Sequence, residues 1–173
     1  ARCLSFLAQL DNKKDATSIK KATKYILSEQ EKDGSWFGRW GTNYIYGTWS
    51  ALSALNLINF ENKQKVFNSA SRFLKTRQRE DGGWGEDGAT YDRNHKDLAK
   101  VSTPSQTAWA ILGLIAAGQM HSKHVKRGIS YLTNLFSEKK NWEEKHYTAV
   151  GFPKVFYLKY HGYAEYFPFL AVS

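Results

Sequence analysis

The chain has 173 residues, a formal charge of +9, an aromatic content of 15% and one cysteine. This length allows one domain with a substantial core. A single cysteine cannot form an internal disulfide, so the composition does not indicate an oxidising compartment. Lysines are spread along the chain as on solvated helix faces. No nucleic-acid motif accompanies them, so we expect no nucleic-acid partner.

The chain begins with the apolar segment ARCLSFLAQL and without methionine. The segment is too short for a membrane span and lacks the flanks of a signal peptide. We interpret it as the middle of a helix and expect the chain to be a fragment of a longer polypeptide.

Three segments of equal length repeat along the chain, at 25–36, 73–84 and 131–142. Each opens with an aromatic and an aliphatic residue and closes on tryptophan: Trp36, Trp84 and Trp142. The first two also share a glutamine and an Asp-Gly pair, which the third has lost. Such a period predicts stacked helical units. We expect the three tryptophans to stack on the glutamine of a neighbouring repeat and to tie outer helices together.

Apolar residues at helical spacing precede each repeat end and predict outer helices that Gly34 and Gly82 stop and turn. The segments 46–58 and 105–118 are more apolar and rich in small residues, which favours an inner layer. Because no useful stretch alternates with period two, the fold class is predicted to be all-α. The pattern indicates an unfinished stack of paired inner and outer helices. Residues 85–105 are predicted to form a long, irregular insertion.

The C-terminal stretch GFPKVFYLKYHGY places aromatic residues at i, i+4, i+8 and i+11, namely Phe152, Phe156, Tyr160 and Tyr163. On a helix this spacing makes one stripe of rings. Pro153 would then occupy the first helical turn. The stripe has two interpretations: it packs against a core, or it faces a cavity.

Metal and thiol chemistry find weak support. His121 and His124 are spaced as neighbours on a helix, but no Cys, Asp or Glu nearby completes a zinc set. Cys3 has no obvious histidine partner for a thiol nucleophile. The glycines of DGGWGEDG lack both the Lys and Ser/Thr of a phosphate loop and the spacing of a calcium loop.

The carboxylates Glu86, Asp87 and Asp92 are close together in the sequence. A solvated, turn-rich loop explains them, and a hydrolytic acid–base pair is the alternative. Aromatic residues are the stronger signal, because the block GSWFGRWGTNYIYGTW carries six of them within fourteen residues. A cavity lined with ring faces stabilises a cation without offering a nucleophile that would trap it.

The repeats and blocks resemble those of triterpene cyclases. Each repeat resembles the family's QW motif, and GSWFGRWGTNYIYGTW, STPSQTAWA, GFPKVFYLKY and FPFLAVS resemble blocks of bacterial squalene–hopene cyclases in the same order. The resemblance runs over essentially all 173 residues. The Phe-Pro-x-x-Phe-Tyr-Leu pattern favours the squalene–hopene branch over the oxidosqualene cyclases.

The resemblance implies an enzyme of two α/α barrels with the active cavity between them. An aspartate of an Asp-x-Asp-Asp motif would protonate squalene, which cyclises through carbocations to hopene or hopanol without a metal or organic cofactor. The resemblance also implies a monotopic homodimer on the cytoplasmic side of the bacterial inner membrane, which takes its substrate from the bilayer.

The resemblance also assigns roles to single residues. It implies that substrate and cations are stabilised by Trp40, Tyr46, Phe152, Phe156, Tyr160 and Tyr163. Gly151 and Leu158 would shape the cavity. Tyr46 and Arg2 would be partners of the catalytic acid.

The chain departs from the family pattern because it contains no Asp-x-Asp-Asp. We therefore expect residues 1–173 to be the C-terminal part of the catalytic barrel and to be inactive alone. The alternative from another class is a non-catalytic α/α repeat module that binds a partner or an apolar ligand. Two further classes share this architecture. Prenyltransferase β subunits need Asp, Cys and His zinc ligands, which we cannot place in this sequence. A carbohydrate-active toroid is a further alternative and would need a carboxylate pair in the cavity.

Overall fold

The computed structural model describes residues 1–10, 13–92 and 101–173. Seven α-helices are described: α1 Arg2–Leu10, α2 Ala16–Ser28, α3 Tyr44–Asn56, α4 Lys63–Thr76, α5 Pro104–Ala116, α6 Lys123–Lys139 and α7 Tyr163–Val172. A hairpin of β1 Ala149–Phe152 and β2 Phe156–Leu158 precedes α7. Short 3-10 turns lie at Lys13–Asp15 and Gly88–Tyr91. The segment 93–100 of the expected insertion lies outside the described residues.

The helices form two layers, which confirms the predicted all-α fold of paired inner and outer helices. The inner helices α1, α3, α5 and α7 pack side by side in that order, and α2, α4 and α6 lie between them on the outside. Helix α5 is buried on nearly every side, as its apolar sequence predicts. The outer helices bury one face only: α4 covers Phe67, Ala70, Phe73 and Leu74.

The repeat tryptophans join each outer helix to the segment that follows it. The indole N–H of Trp36, Trp84 and Trp142 donates to the backbone carbonyl ten residues earlier, at 2.7, 2.7 and 2.8 Å. The first two carbonyls, of Ile26 and Leu74, lie in the last turns of α2 and α4, where the helix's own donors run out, whereas that of Leu132 lies further inside α6. The third repeat keeps this bond although its sequence has diverged.

Glutamine side chains form hydrogen bonds between neighbouring repeats. Gln30 donates to the carbonyl of Val66 in α4 at 3.3 Å, and Gln78 donates to that of His124 in α6 at 2.9 Å. The indole hydrogen bond of each tryptophan stays within its own repeat. The sequence analysis considered His124 as a metal ligand together with His121. In the structure its ring also contacts Gln78, with Nδ1 2.6 Å from Oε1.

The glycines of the repeats turn the chain but do not stop the helices. Gly34 and Gly82 have φ of 92° and 90°, which only glycine adopts without strain. The helices have already ended at Ser28 and Thr76, so that part of the prediction was wrong. Each glycine also lies against the next outer helix, and a Cβ on Gly82 would meet the Arg127 carbonyl oxygen at 2.8 Å.

The C-terminal aromatic stretch is not a helix, which corrects the predicted stripe. Residues 149–158 form an antiparallel hairpin, with Val150 opposite Tyr157 and Phe152 opposite Phe156. Gly151 is left over between these pairs as a bulge. Pro153 lies in the turn rather than in a first helical turn, and Lys154 follows it with φ of 66°.

We predict that Trp84→Phe lowers the free energy of unfolding by about 2–4 kcal/mol, from a lost hydrogen bond and a cavity. Trp142→Phe should cost less than Trp84→Phe. Trp84 is fully buried, whereas Trp142 is partly exposed, so water can donate to the carbonyl that the Trp142 indole leaves. Urea unfolding of both variants measures the difference. Equal losses would contradict the role assigned to burial.

Candidate functional site

The candidate site lies where the N-terminal ends of the inner helices meet. Arg2 of α1 contacts Tyr46 in the first turn of α3. Gln106 of α5 donates to the carbonyl of Thr42, just before α3, at 2.6 Å. Tyr163, the first residue of α7, contacts the ring of Trp109 in α5. The four inner helices therefore start at one end of the layer.

The structure brings together Arg2 and Tyr46, the two residues expected beside the catalytic acid. The Arg2 guanidinium donates to the Tyr46 hydroxyl from Nε at 3.3 Å and from Nη2 at 3.2 Å. It also lies 5.2 Å from the ring centroid of Trp49, a cation–π contact. An open cavity of about 650 Å³ adjoins this pair, and its lining includes Arg2, Trp40 and Tyr46.

Trp40 is joined to the C-terminal hairpin. Its indole N–H donates to the Tyr160 hydroxyl at 3.1 Å, and its backbone carbonyl accepts from Val150 of β1 at 2.9 Å. Thr42 donates to the Thr148 carbonyl at 3.0 Å, so residues 40–42 run along the edge of β1. This pairing places Trp40 beside a segment more than a hundred residues away in sequence.

One chain of ring contacts connects the candidates on the inner helices. Tyr46 meets Trp109 at 5.0 Å between centroids, Trp109 meets Tyr163 at 5.8 Å, and Tyr163 stacks on Tyr160 at 4.8 Å. Trp109 is fully buried at the centre. Sequence reasoning missed it as a site residue although its block STPSQTAWA was recognised.

The hairpin carries the most exposed candidate rings. Phe152 is 64% exposed and Phe156 43%, and the two meet edge to face at 5.7 Å. Neither ring serves the core, so their exposure favours an external contact over core packing. A Cβ on Gly151 would overlap the Phe156 ring, so this glycine makes room for a neighbouring side chain. Leu158 lies half-buried on β2.

The acidic residues of the loop contact different partners. Glu86, expected in a solvated loop, is buried, and its Oε2 accepts from the backbone N–H groups of Asn43 and Ile45 at 3.0 and 2.8 Å. Asp87 accepts from Ala89 N–H at 2.8 Å and starts the 3-10 turn. Asp92 lies 3.9 Å from Lys154 Nζ.

Glu144 repeats the arrangement of Glu86 at the next inner helix. It follows Trp142 by two residues, as Glu86 follows Trp84, and it accepts from the N–H and hydroxyl of Ser105 at the start of α5. Burial raises the pKa of the Glu144 carboxyl, while the hydrogen bonds from Ser105 act in the opposite direction. The sequence shows a glutamate two residues after Trp84 and after Trp142, but it does not show which helix each glutamate contacts.

Within residues 1–10, 13–92 and 101–173, no group of three or more His, Cys, Asp or Glu side chains is placed to hold a metal ion. Within the same residues, no helix has the length and apolar character that crossing a membrane requires.

Comparisons with known proteins agree on one family. The model of the squalene–hopene cyclase C-terminal domain matches residues 1–173. A squalene–hopene cyclase of Zymomonas mobilis is 49% identical over all of this chain and 26% of its own length. One of Schizosaccharomyces japonicus is also 49% identical, with the same coverage. A dammaradiene synthase of Dryopteris crassirhizoma is 42% identical over 87% of this chain and 24% of its own length.

The fold and site together define an α/α-barrel protein with an aromatic wall at the N-terminal ends of its inner helices. The chain belongs to the squalene–hopene cyclase C-terminal domain family. It spans 26% of the length of the two cyclases named above.

We predict that Glu144→Gln makes the chain less sensitive to rising pH. A carboxyl whose pKa is raised by folding contributes stability below its unfolded pKa, about 4.3, and loses it as pH rises through the folded value. The variant should therefore gain stability relative to the natural chain as the pH rises above about 4.3. Urea unfolding measures this difference. The exposed neighbour variant Glu143→Gln controls for the lost charge, and a pH-independent difference for Glu144→Gln would contradict the prediction.

Proposed function

We propose that this chain is the C-terminal part of the catalytic barrel of a squalene–hopene cyclase. The whole enzyme protonates squalene and cyclises it through carbocations to hopene or hopanol. The observation that carries the proposal is the ring wall at one end of the inner helices, which runs from Tyr46 through Trp109 to Tyr160 and Trp40. Relatives named squalene–hopene cyclase match the full length of the chain.

The chemistry of the wall suits a cationic reaction. Ring faces carry negative potential and attract cations, most strongly where water is excluded. The exposed rings of Phe152 and Phe156 meet later ring cations, and Trp40 and Tyr46 lie towards the protonation end. Tyr160 and Tyr163 line the cavity, and Gly151 and Leu158 shape it. No side chain of this wall is a strong nucleophile, so a cation resting on it is not captured covalently.

The Arg2–Tyr46 pair acts on the catalytic acid. These 173 residues contain no Asp-x-Asp-Asp, so in this proposal the acid comes from the rest of the polypeptide. A guanidinium donating to a phenol leaves the phenol's own proton free to hydrogen-bond a carboxylate. The pair thus orients the acid and favours its charged form after the proton has left.

We also propose that the whole enzyme is a homodimer bound to the cytoplasmic face of the bacterial inner membrane. Squalene is an apolar polyene and partitions into the bilayer, so a membrane-bound enzyme meets it there. The net charge of +9 favours an anionic lipid surface.

Turnover of squalene by the full-length protein tests the proposal. Purified enzyme in detergent should convert squalene to a pentacyclic product, detected by gas chromatography and mass spectrometry. The 173-residue chain alone should give none, because it lacks the acid. A full-length protein without product would contradict the function, and a pentacycle from the chain alone would contradict the placement of the acid.

Phe152→Ala and Phe156→Ala should each lower kcat by about tenfold or more and release incompletely cyclised products, since cation–π stabilisation is worth about 2 kcal/mol in a dry site. Both rings are exposed in this chain, so its free energy of unfolding should change little. Val155→Ala, in the turn of the same hairpin and 75% exposed, is the matched control and should keep full turnover. Wild-type products from both phenylalanine variants would remove these rings from the site.

A further inference from the structure

The helix that carries Tyr46 has no side-chain cap of its own. Asn43 precedes α3, but its side chain makes no capping bond. Its Oδ1 instead accepts from Gly38 N–H at 3.0 Å, and its Nδ2 donates to the Thr90 carbonyl at 3.1 Å. The first N–H groups of a helix lack partners within the helix, so those of α3 must be satisfied from elsewhere.

Glu86 satisfies two of these N–H groups from the following repeat. Its Oε2 accepts from the N–H of Asn43 at 3.0 Å and from that of Ile45 at 2.8 Å. A carboxylate is well suited to this position, because helix N-termini carry partial positive charge. Glu86 is 7% exposed, so water cannot readily take its place.

Through these bonds Glu86 controls the position of Tyr46. The two N–H groups belong to the residues that begin α3, and Tyr46 follows directly after Ile45. The bonds from Arg2 to the Tyr46 hydroxyl are long, at 3.2 and 3.3 Å, and lie in an exposed place. A small shift or fraying at the start of α3 would therefore break them.

We propose that Glu86 is a positioning residue of the cyclase: it holds the start of α3 so that the Tyr46 hydroxyl lies against Arg2. The inference rests on the proposed function, in which that pair orients the catalytic acid. Glu86 itself acts through the backbone and has no contact with substrate in this account.

Glu144 provides a matched control within the same chain. It is also buried, also follows a repeat tryptophan by two residues and also accepts from the start of an inner helix. Helix α5, however, keeps a cap of its own, since Thr103 Oγ1 accepts from Gln106 N–H at 3.3 Å. Loss of Glu144 therefore leaves α5 partly capped, whereas loss of Glu86 leaves α3 uncapped.

A double-mutant cycle with Tyr46→Phe in the full-length enzyme tests the inference, with kcat and KM measured for squalene. We expect Glu86→Ala to lower kcat by about tenfold while KM stays within about twofold, because the pair acts on the acid rather than on binding. In the Tyr46→Phe background the same change should cost less than about twofold, because no hydroxyl remains to be positioned. Glu144→Ala should have the same small effect in both backgrounds.

Glu86→Gln should recover most of the turnover, since its amide oxygen can still accept both backbone bonds. If Glu86→Ala fails to fold, Glu86→Asp replaces it, because the shorter side chain cannot reach both N–H groups. Effects of Glu86 and Tyr46 that multiply, or a Glu86→Gln as poor as the alanine variant, would overturn the inference. The unchanged enzyme separates the two claims. If it forms no product from squalene, the proposed function fails. If it forms product but the effects of the Glu86 and Tyr46 substitutions multiply, only the role of Glu86 is removed.

Discussion

The inner helices all begin at the end of the layer where the aromatic site lies, and each helix start leaves backbone N–H groups unpaired. This end of the protein must therefore contain buried acceptors beside its rings. Glu86 meets the need for α3, and Glu144 together with Thr103 meets it for α5. Glu86, one of three carboxylates that look like a reactive cluster in the sequence, instead accepts from the start of the helix that carries Tyr46.

The repeats explain why the chain returns to this end each time. A tryptophan hydrogen-bonded near the end of its outer helix brings the chain back, and a glutamine fastens that turn to the next outer helix. The proposed functional residues lie where the units differ. Trp40 stands just beyond the first repeat tryptophan, and the hairpin with Phe152 replaces the helix that periodicity predicts. A regular scaffold thus supports irregular segments, which bear the chemistry.

The sequence predicted the layers correctly because each helix has its own periodic apolar face, and that information is local. The hairpin was missed because Phe152, Phe156 and Tyr160 satisfy helical spacing. In a strand pair, the same spacing places Phe152 and Phe156 opposite each other across a turn. Gly151, Pro153 and the run of β-branched and aromatic residues favour a strand pair over a helix.

Other features of the site depend on contacts between residues far apart in sequence. Glu86 reaches Ile45 across forty-one positions, and Trp40 reaches Tyr160 across one hundred and twenty. No local pattern reveals that Glu86 is buried or that Trp109 lies at the centre of the ring cluster. The family resemblance named Arg2 and Tyr46 each as a partner of the acid, and the structure adds that the two side chains are in contact.

The central claim is that the exposed hairpin rings face a cationic polyene. The most direct measurement is a crystal structure of the full-length protein with an amine analogue of squalene, protonated where a late ring cation would form. We expect the ammonium nitrogen to lie within about 6 Å of the ring centroids of Phe152 and Phe156. An analogue bound with its nitrogen away from these rings, while they pack against protein instead, would contradict it.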